Sequence, residues 1–149
     1  MSDKIEHRIG VRAPADAIWA VIADIESWPD WNPIYTRAQG ALRIGSPLNL
    51  EVALPGQRPR SIRPVILDWI PNEQIHWRLN ALGGLVKTTR YLEIEPLSDV
   101  GCIFAHGEVF DGPLGPAAMR NLRRAIRSGF AAMSEAVKAR AEATWRPAA

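Results

Sequence analysis

The sequence predicts an α+β domain in which an antiparallel sheet is covered by one long helix. Three observations carry this. Apolar and polar residues alternate at period two in several runs before Asp111, the pattern of half-buried strands. From Met119 the apolar spacing changes to three or four residues, through Leu122, Ile126, Phe130 and Met133 to Val137, the pattern of an amphipathic helix. The strand-like runs are joined by short turns rich in Gly and Pro, which implies antiparallel neighbours.

In the first run, Ile5, His7, Ile9 and Val11 alternate with Lys4, Glu6, Arg8 and Arg12, so one face is apolar. Pro14 suits the first helical position, where its missing N–H costs nothing. Ala15, Ile18, Ile22 and Ile25 follow at helical spacing, with Trp19 beside them. A short helix or helix pair is expected over 15–28. The segment Trp28-Pro29-Asp30-Trp31-Asn32-Pro33 is expected to be a tight turn, because proline lacks a donor and restricts the residue before it.

The next strand is expected over 34–41, before a Gly45-Ser46-Pro47 break. Leu48, Leu50 and Val52 form another, stopped by Leu54-Pro55-Gly56. A β-rich run over 62–70 ends at Pro71-Asn72. Ile75, Trp77 and Leu79 alternate up to a Gly83-Gly84 turn. Residues 85–95 end at Pro96, and 102–111 form the last strand, closed by Gly112-Pro113. The long helix is expected from near Gly115-Pro116 to near Trp145. It is the one element large enough to cover the apolar face of such a sheet.

A chain of 149 residues suits one domain, 1–149, and can bury a substantial core. No run of about 18 apolar residues indicates a membrane span, and the charged start MSDKIEHRIG is unlike a signal peptide. The single cysteine, Cys102, rules out an intramolecular disulfide and fits a reducing cytoplasm, so a cytoplasmic location is expected. The net charge of +2 is unevenly spread: Arg120, Arg123, Arg124, Arg127, Lys138 and Arg140 face only Glu135 and Glu142 on the long helix. Such a face can meet an anionic partner, but a solvated helix surface is the expected reading. No aromatics interleave with these cations and no helix-turn-helix or zinc pattern accompanies them, so no nucleic-acid partner is expected. The oligomeric state is left open.

The strand, helix and double-tryptophan turn of Ala13 to Pro33, APADAIWAVIADIESWPDWNP, together with the element order, resembles the SRPBCC superfamily of START domains, polyketide cyclases/dehydrases and the major birch-pollen allergen. The resemblance implies a helix-grip fold: a curved antiparallel sheet of about six to seven strands wrapped around the C-terminal helix, with short helices after the first strand. It also implies a cavity for a small hydrophobic or amphipathic molecule, lipid- or polyketide-like, between sheet and helix.

Candidate site residues are those facing that cavity. On the last strand Cys102, Phe104, His106, Glu108 and Phe110 share one face, and Ile103, Ala105, Gly107, Val109 and Asp111 the other. The two phenylalanines favour the first set as inward, and related sequences end this strand with a similar His-x-Glu-x-Phe-x-Gly pattern. Thr88, Arg90, Leu92 and Ile94 share a face of the preceding strand. A buried Glu108 needs a partner or a proton, and Arg90 is the natural candidate. The expected lining is Leu50, Trp77, Arg90, Leu92, Phe104, His106, Glu108, Phe110, Leu122, Ile126, Phe130 and Met133.

His106 beside Glu108 is also the arrangement that moves protons in a cyclisation or dehydration, which makes an enzyme of the polyketide cyclase/dehydratase type the alternative to a binding protein. A further alternative is an interaction module using the basic helix face. His7, His106 and Glu108 contain the elements of a two-histidine, one-carboxylate metal site; satisfied interior histidines are the expected reading, with no metal and no cofactor. His76, opposite Trp77 in phase, is expected to be exposed. Trp19, Trp28 and Trp31 are read as packing the helix–turn unit. Gly129 in the long helix either leaves room for ligand or admits a close neighbour; the sequence leaves both open.

Overall fold

The computed structural model describes residues 3–145. The element order is β1 (Asp3–Val11), α1 (Ala15–Ala23), a 3₁₀ turn at Ile25–Ser27, α2 (Trp28–Trp31), β2 (Tyr35–Gln39), β3 (Asn49–Val52), β4 (Arg60–Ile62), β5 (Val65–Ile70), β6 (Gln74–Ala81), a 3₁₀ turn at Leu82–Gly84, β7 (Val86–Ser98), β8 (Gly101–Asp111) and α3 (Gly115–Thr144). The expected α+β order, with short helices after the first strand and a long one at the end, is what the chain adopts.

The strands form two antiparallel sheets rather than one. Five strands run in the order β1-β8-β7-β6-β5 and three in the order β2-β3-β4. The expected single run over 62–70 divides at Arg63-Pro64, between β4 in the small sheet and β5 in the large one. Proline cannot donate to a ladder, and Pro64 instead accepts from the Leu48 N–H at 2.8 Å. Two further backbone bonds, Gly45 N–H to Ile66 O and Ile66 N–H to Ser46 O at 2.8 and 3.0 Å, hold the sheets to each other. One core cluster takes residues from both.

The Trp28–Trp31 segment is also corrected. It is a short helix, since Pro29 sits in the first turn where no donor is needed. Pro14 lies one residue earlier than expected, as the N-cap of α1, its carbonyl accepting from Ala17 N–H. The strand expected over 34–41 is shorter, and β7 continues past Pro96 to Ser98 through a register shift.

Helix α3 is 30 residues long, about 45 Å. It packs on β1, β7, β8 and α1. Its buried side includes Met119, Ile126, Phe130, Met133 and Val137, the residues that the spacing selects; Leu122 is partly buried. Arg120, Arg123, Arg124 and Arg127 are exposed on the other side. At its C-terminal end Lys138 donates to the Gly10 carbonyl and Glu142 accepts from the Arg12 N–H, both at 2.8 Å, which ties the helix to the end of β1.

Gly129 is explained by packing. A Cβ there would lie 2.8 Å from Leu54 Cδ2 and 3.2 Å from Ile34 Cγ2, so the glycine lets the helix approach the 53–59 loop. Trp28 is fully buried, with its ring 5.1 Å from Tyr35 and 6.0 Å from Trp77 and its Nε1 donating to Ile22 O. Trp19 stacks on Trp69, and Trp31 lies under Arg140. No helix of the described residues is long and apolar enough to cross a membrane.

Candidate functional site

A cavity of about 250 Å³ lies between the two sheets and the first half of α3. The small sheet and its loop contribute Val52, Leu54, Arg60 and Ile62. The large sheet contributes Trp77, Leu79, Ala81, Val86, Thr88, Arg90, Glu108 and Phe110. The helix contributes Ala118, Leu122 and Ile126. Leu82 at the tight turn also lines it and is 68 % exposed, so the cavity opens to solvent there, and Arg60 of the lining is exposed as well. The pocket is mainly apolar with a few convergent polar groups, the usual composition of a small-molecule site. A smaller recess that also reaches Gln57 and Arg58 adjoins it across the shared residues Val52, Leu54, Arg60 and Leu122.

The inner polar groups are one hydrogen-bonded unit. Arg90 and Glu108 are directly paired positions of β7 and β8, so their side chains emerge side by side on the concave face. Arg90 Nε and Nη2 both donate to Glu108 Oε1, at 2.9 and 2.7 Å. Arg90 Nη1 donates to the hydroxyl oxygen of Tyr35, which is wholly buried. The guanidinium lies 4.5 Å over the Phe130 ring and 5.8 Å from that of Trp77, which adds a cation–π attraction. Arg90 and Glu108 are only 5 % and 7 % exposed; at that depth neither charge is tolerable without the other.

Protonation follows from these contacts. Burial pushes the Arg90 pKa down, but the charge of Glu108 and the bond to Tyr35 outweigh it and leave it above its ordinary value. Burial holds the Tyr35 hydroxyl protonated, raising its pKa against the opposing effect of Arg90. The His106 pKa is driven well below the usual histidine value, first by burial and then by Arg90 and His7. This ring is therefore neutral at pH 7. Burial likewise raises the Cys102 thiol, which keeps it from being a reactive thiolate.

Of the expected lining, Trp77, Arg90, Glu108, Phe110, Leu122 and Ile126 surround the cavity. Leu92, Phe104, His106, Phe130 and Met133 do not reach it; they are wholly buried and form solid core. The reason is size. Small or medium side chains, Ala118 and Leu122, face the sheet in the first half of α3, whereas Phe130 and Met133 fill the space beyond, with His106 stacked on Phe130 at 4.0 Å. Leu50 borders instead a shallow groove of about 500 Å³ on the small sheet, with Arg37, Gln39, Asn49 and Arg63.

The expectation of an exposed His76 is also corrected: it is half-buried, with Nε2 2.8 Å from Glu93 Oε2. His7 pairs across the ladder with His106, but Glu108 is engaged by Arg90. Among the described residues no group of three or more His, Cys, Asp or Glu side chains could hold a metal ion. The reading of the sequence missed Tyr35, which lies 55 positions from Arg90 and carries no local signal of that contact. Leu79 and Thr88 were legible, since they follow Trp77 and precede Arg90 by two residues on the same strand faces.

Comparison with known proteins agrees with this fold. Residues 2–142 match the model of the family described as polyketide cyclase / dehydrase and lipid transport. No curated protein matches the chain. Among solved structures, the Zhui aromatase/cyclase from Streptomyces sp. R1128 is 20 % identical with a TM-score of 0.79, over 98 % of this chain and 97 % of that one. A norcoclaurine synthase point mutant from Thalictrum flavum is 19 % identical with a TM-score of 0.73, over 97 % and 96 %. A START superfamily protein from Mycobacterium smegmatis is 20 % identical with a TM-score of 0.61, over 89 % and 97 %. At these identities the likeness is one of fold.

Proposed function

The chain belongs to the polyketide cyclase/dehydrase and lipid transport family, and from that premise we propose that it binds a small amphipathic molecule in the cavity between its sheets and α3. The observation that carries this is a mainly apolar space of about 250 Å³ with one compensated ion pair on its inner wall. An apolar cavity of about 150 Å³ already accommodates benzene, so a two-ring molecule is a reasonable occupant. The apolar lining supplies the attraction, while Arg90, Glu108 and Thr88 supply orientation.

Within the family an enzymatic role is the alternative. Proton transfer through His106 and Glu108 together is disfavoured by the position of His106, which lies under Phe130 and outside the lining. Glu108 lines the cavity and remains the one group of that pair within reach of an occupant. The basic face of α3 is a separate surface, and nothing in its exposed arginines points to a particular partner.

Native mass spectrometry of gently purified protein tests the proposal. A small molecule retained in the gas phase and released on unfolding supports it. A bare chain that also fails to take up small apolar probes overturns it.

A further inference from the structure

We infer that the inner wall of the cavity selects a neutral hydroxyl, a phenol or alcohol on an apolar body, over a carboxylate or ammonium of the same shape. The inference rests on the binding role proposed above, because it concerns the occupant of the same cavity.

It starts from the unused valences of the ion pair. Both bonds from Arg90 to Glu108 fall on Oε1, and among the described residues Oε2 accepts none. Arg90 has five N–H donors. Two go to Glu108 and one to Tyr35, so two remain. Arg90 and Glu108 both line the cavity. The pair therefore presents an open acceptor and open donors side by side, with little net charge, while Arg60, the remaining charged residue of the lining, is exposed to solvent that screens it.

A hydroxyl is both donor and acceptor. It can donate to Glu108 Oε2 while accepting from Arg90. A carboxylate only accepts. It would meet Arg90 while lying against the Glu108 carboxylate, where the low-dielectric surroundings strengthen repulsion. An ammonium only donates and meets the opposite conflict with the guanidinium. A bare hydrocarbon leaves both sets of groups unpaired. Thr88, also in the lining, is itself a neutral hydroxyl and disturbs none of this.

The test is a calorimetric titration of the full chain at pH 7 with four probes that share one ring system and differ in a small 2-substituent: 2-naphthol, 2-methylnaphthalene, 2-naphthoate and 2-naphthylmethylammonium. The expected result is that 2-naphthol binds at least tenfold tighter than 2-methylnaphthalene, as a single hydrogen bond to an ionised partner provides, and at least tenfold tighter than either ion. Equal affinities, or tightest binding by naphthoate or the ammonium, overturn the inference while leaving the cavity a binding site. Failure of all four to bind overturns the binding role itself. In Glu108→Gln, which removes the carboxylate charge, the preference for 2-naphthol over 2-naphthoate should fall to about threefold or less. Should that variant not fold, the four-probe series on the unaltered protein still decides the matter.

Discussion

The His106 ring lies against the ring of Phe130 with centroids 4.0 Å apart and planes 16° from parallel. Neither imidazole nitrogen has a hydrogen-bond partner among the described residues. A neutral histidine is thus used here as a flat core residue, between β8 and α3.

Stability should therefore depend on pH through this ring. The unfolded chain takes up the proton near the ordinary histidine value of 6.5, whereas folded His106 takes it up only at much lower pH. The contribution of this group is intact above about pH 6.5 and is lost as pH falls below it, by up to about 1.4 kcal/mol per pH unit. Urea unfolding at pH 7.5 and 5.5 should show the natural protein losing about 1 kcal/mol more than His106→Phe. Identical losses in the two proteins would mean that His106 is protonated equally well in the folded state.

The Arg90–Glu108 pair should be costly to break from one side. Arg90→Met leaves the Glu108 carboxylate buried without its cation and is expected to destabilise by about 3–5 kcal/mol. Arg120→Met, on the exposed side of α3, should cost less than about 0.5 kcal/mol. Similar denaturant midpoints for the two variants would contradict the buried pair.

Gly107 should tolerate no side chain. A Cβ there would fall 2.1 Å from the Tyr91 ring, its partner across the β7–β8 ladder. Gly107→Ala is expected to destabilise by about 1–3 kcal/mol through overpacking. In a Tyr91→Ala background the same change should cost much less. Additive effects in thermal unfolding of the double variant would show that the ring is not what excludes the methyl group.

The fold was legible in the chain because it rests on local pattern. Period two identified the faces of β6, β7 and β8, and the three-four spacing from Met119 to Val137 identified the buried side of α3. The Arg90–Glu108 partnership followed from strand phase and the cost of a buried charge. What escaped depends on distant parts of the chain. The division at Pro64 turns on backbone bonds to the 45–48 segment. The pairing of β1 with β8 joins the two ends of the strand region. The extent of the cavity turns on volume: Phe104, His106 and Met133 face inward as strand and helix phase require, yet they fill the interior instead of lining a void.

Filling the cavity should remove binding without removing the fold. Ala118 sits on α3 at its wall, where a large side chain can enter existing space. Ala118→Trp is expected to weaken 2-naphthol binding by at least tenfold. Its melting temperature should stay within about 4 °C of the natural protein's, the shift that corresponds to about 1 kcal/mol at this size. Unchanged affinity would mean that the probe binds elsewhere.

The central claim, that the space between sheets and helix is the binding site, is tested most directly by a ¹H–¹⁵N NMR titration with 2-naphthol. The account predicts saturable shifts concentrated at Trp77, Thr88, Arg90, Phe110, Ala118 and Leu122, which surround the cavity. Shifts confined to Arg37, Gln39, Asn49 and Arg63 at the groove on the small sheet, or no saturable shifts at all, would contradict it.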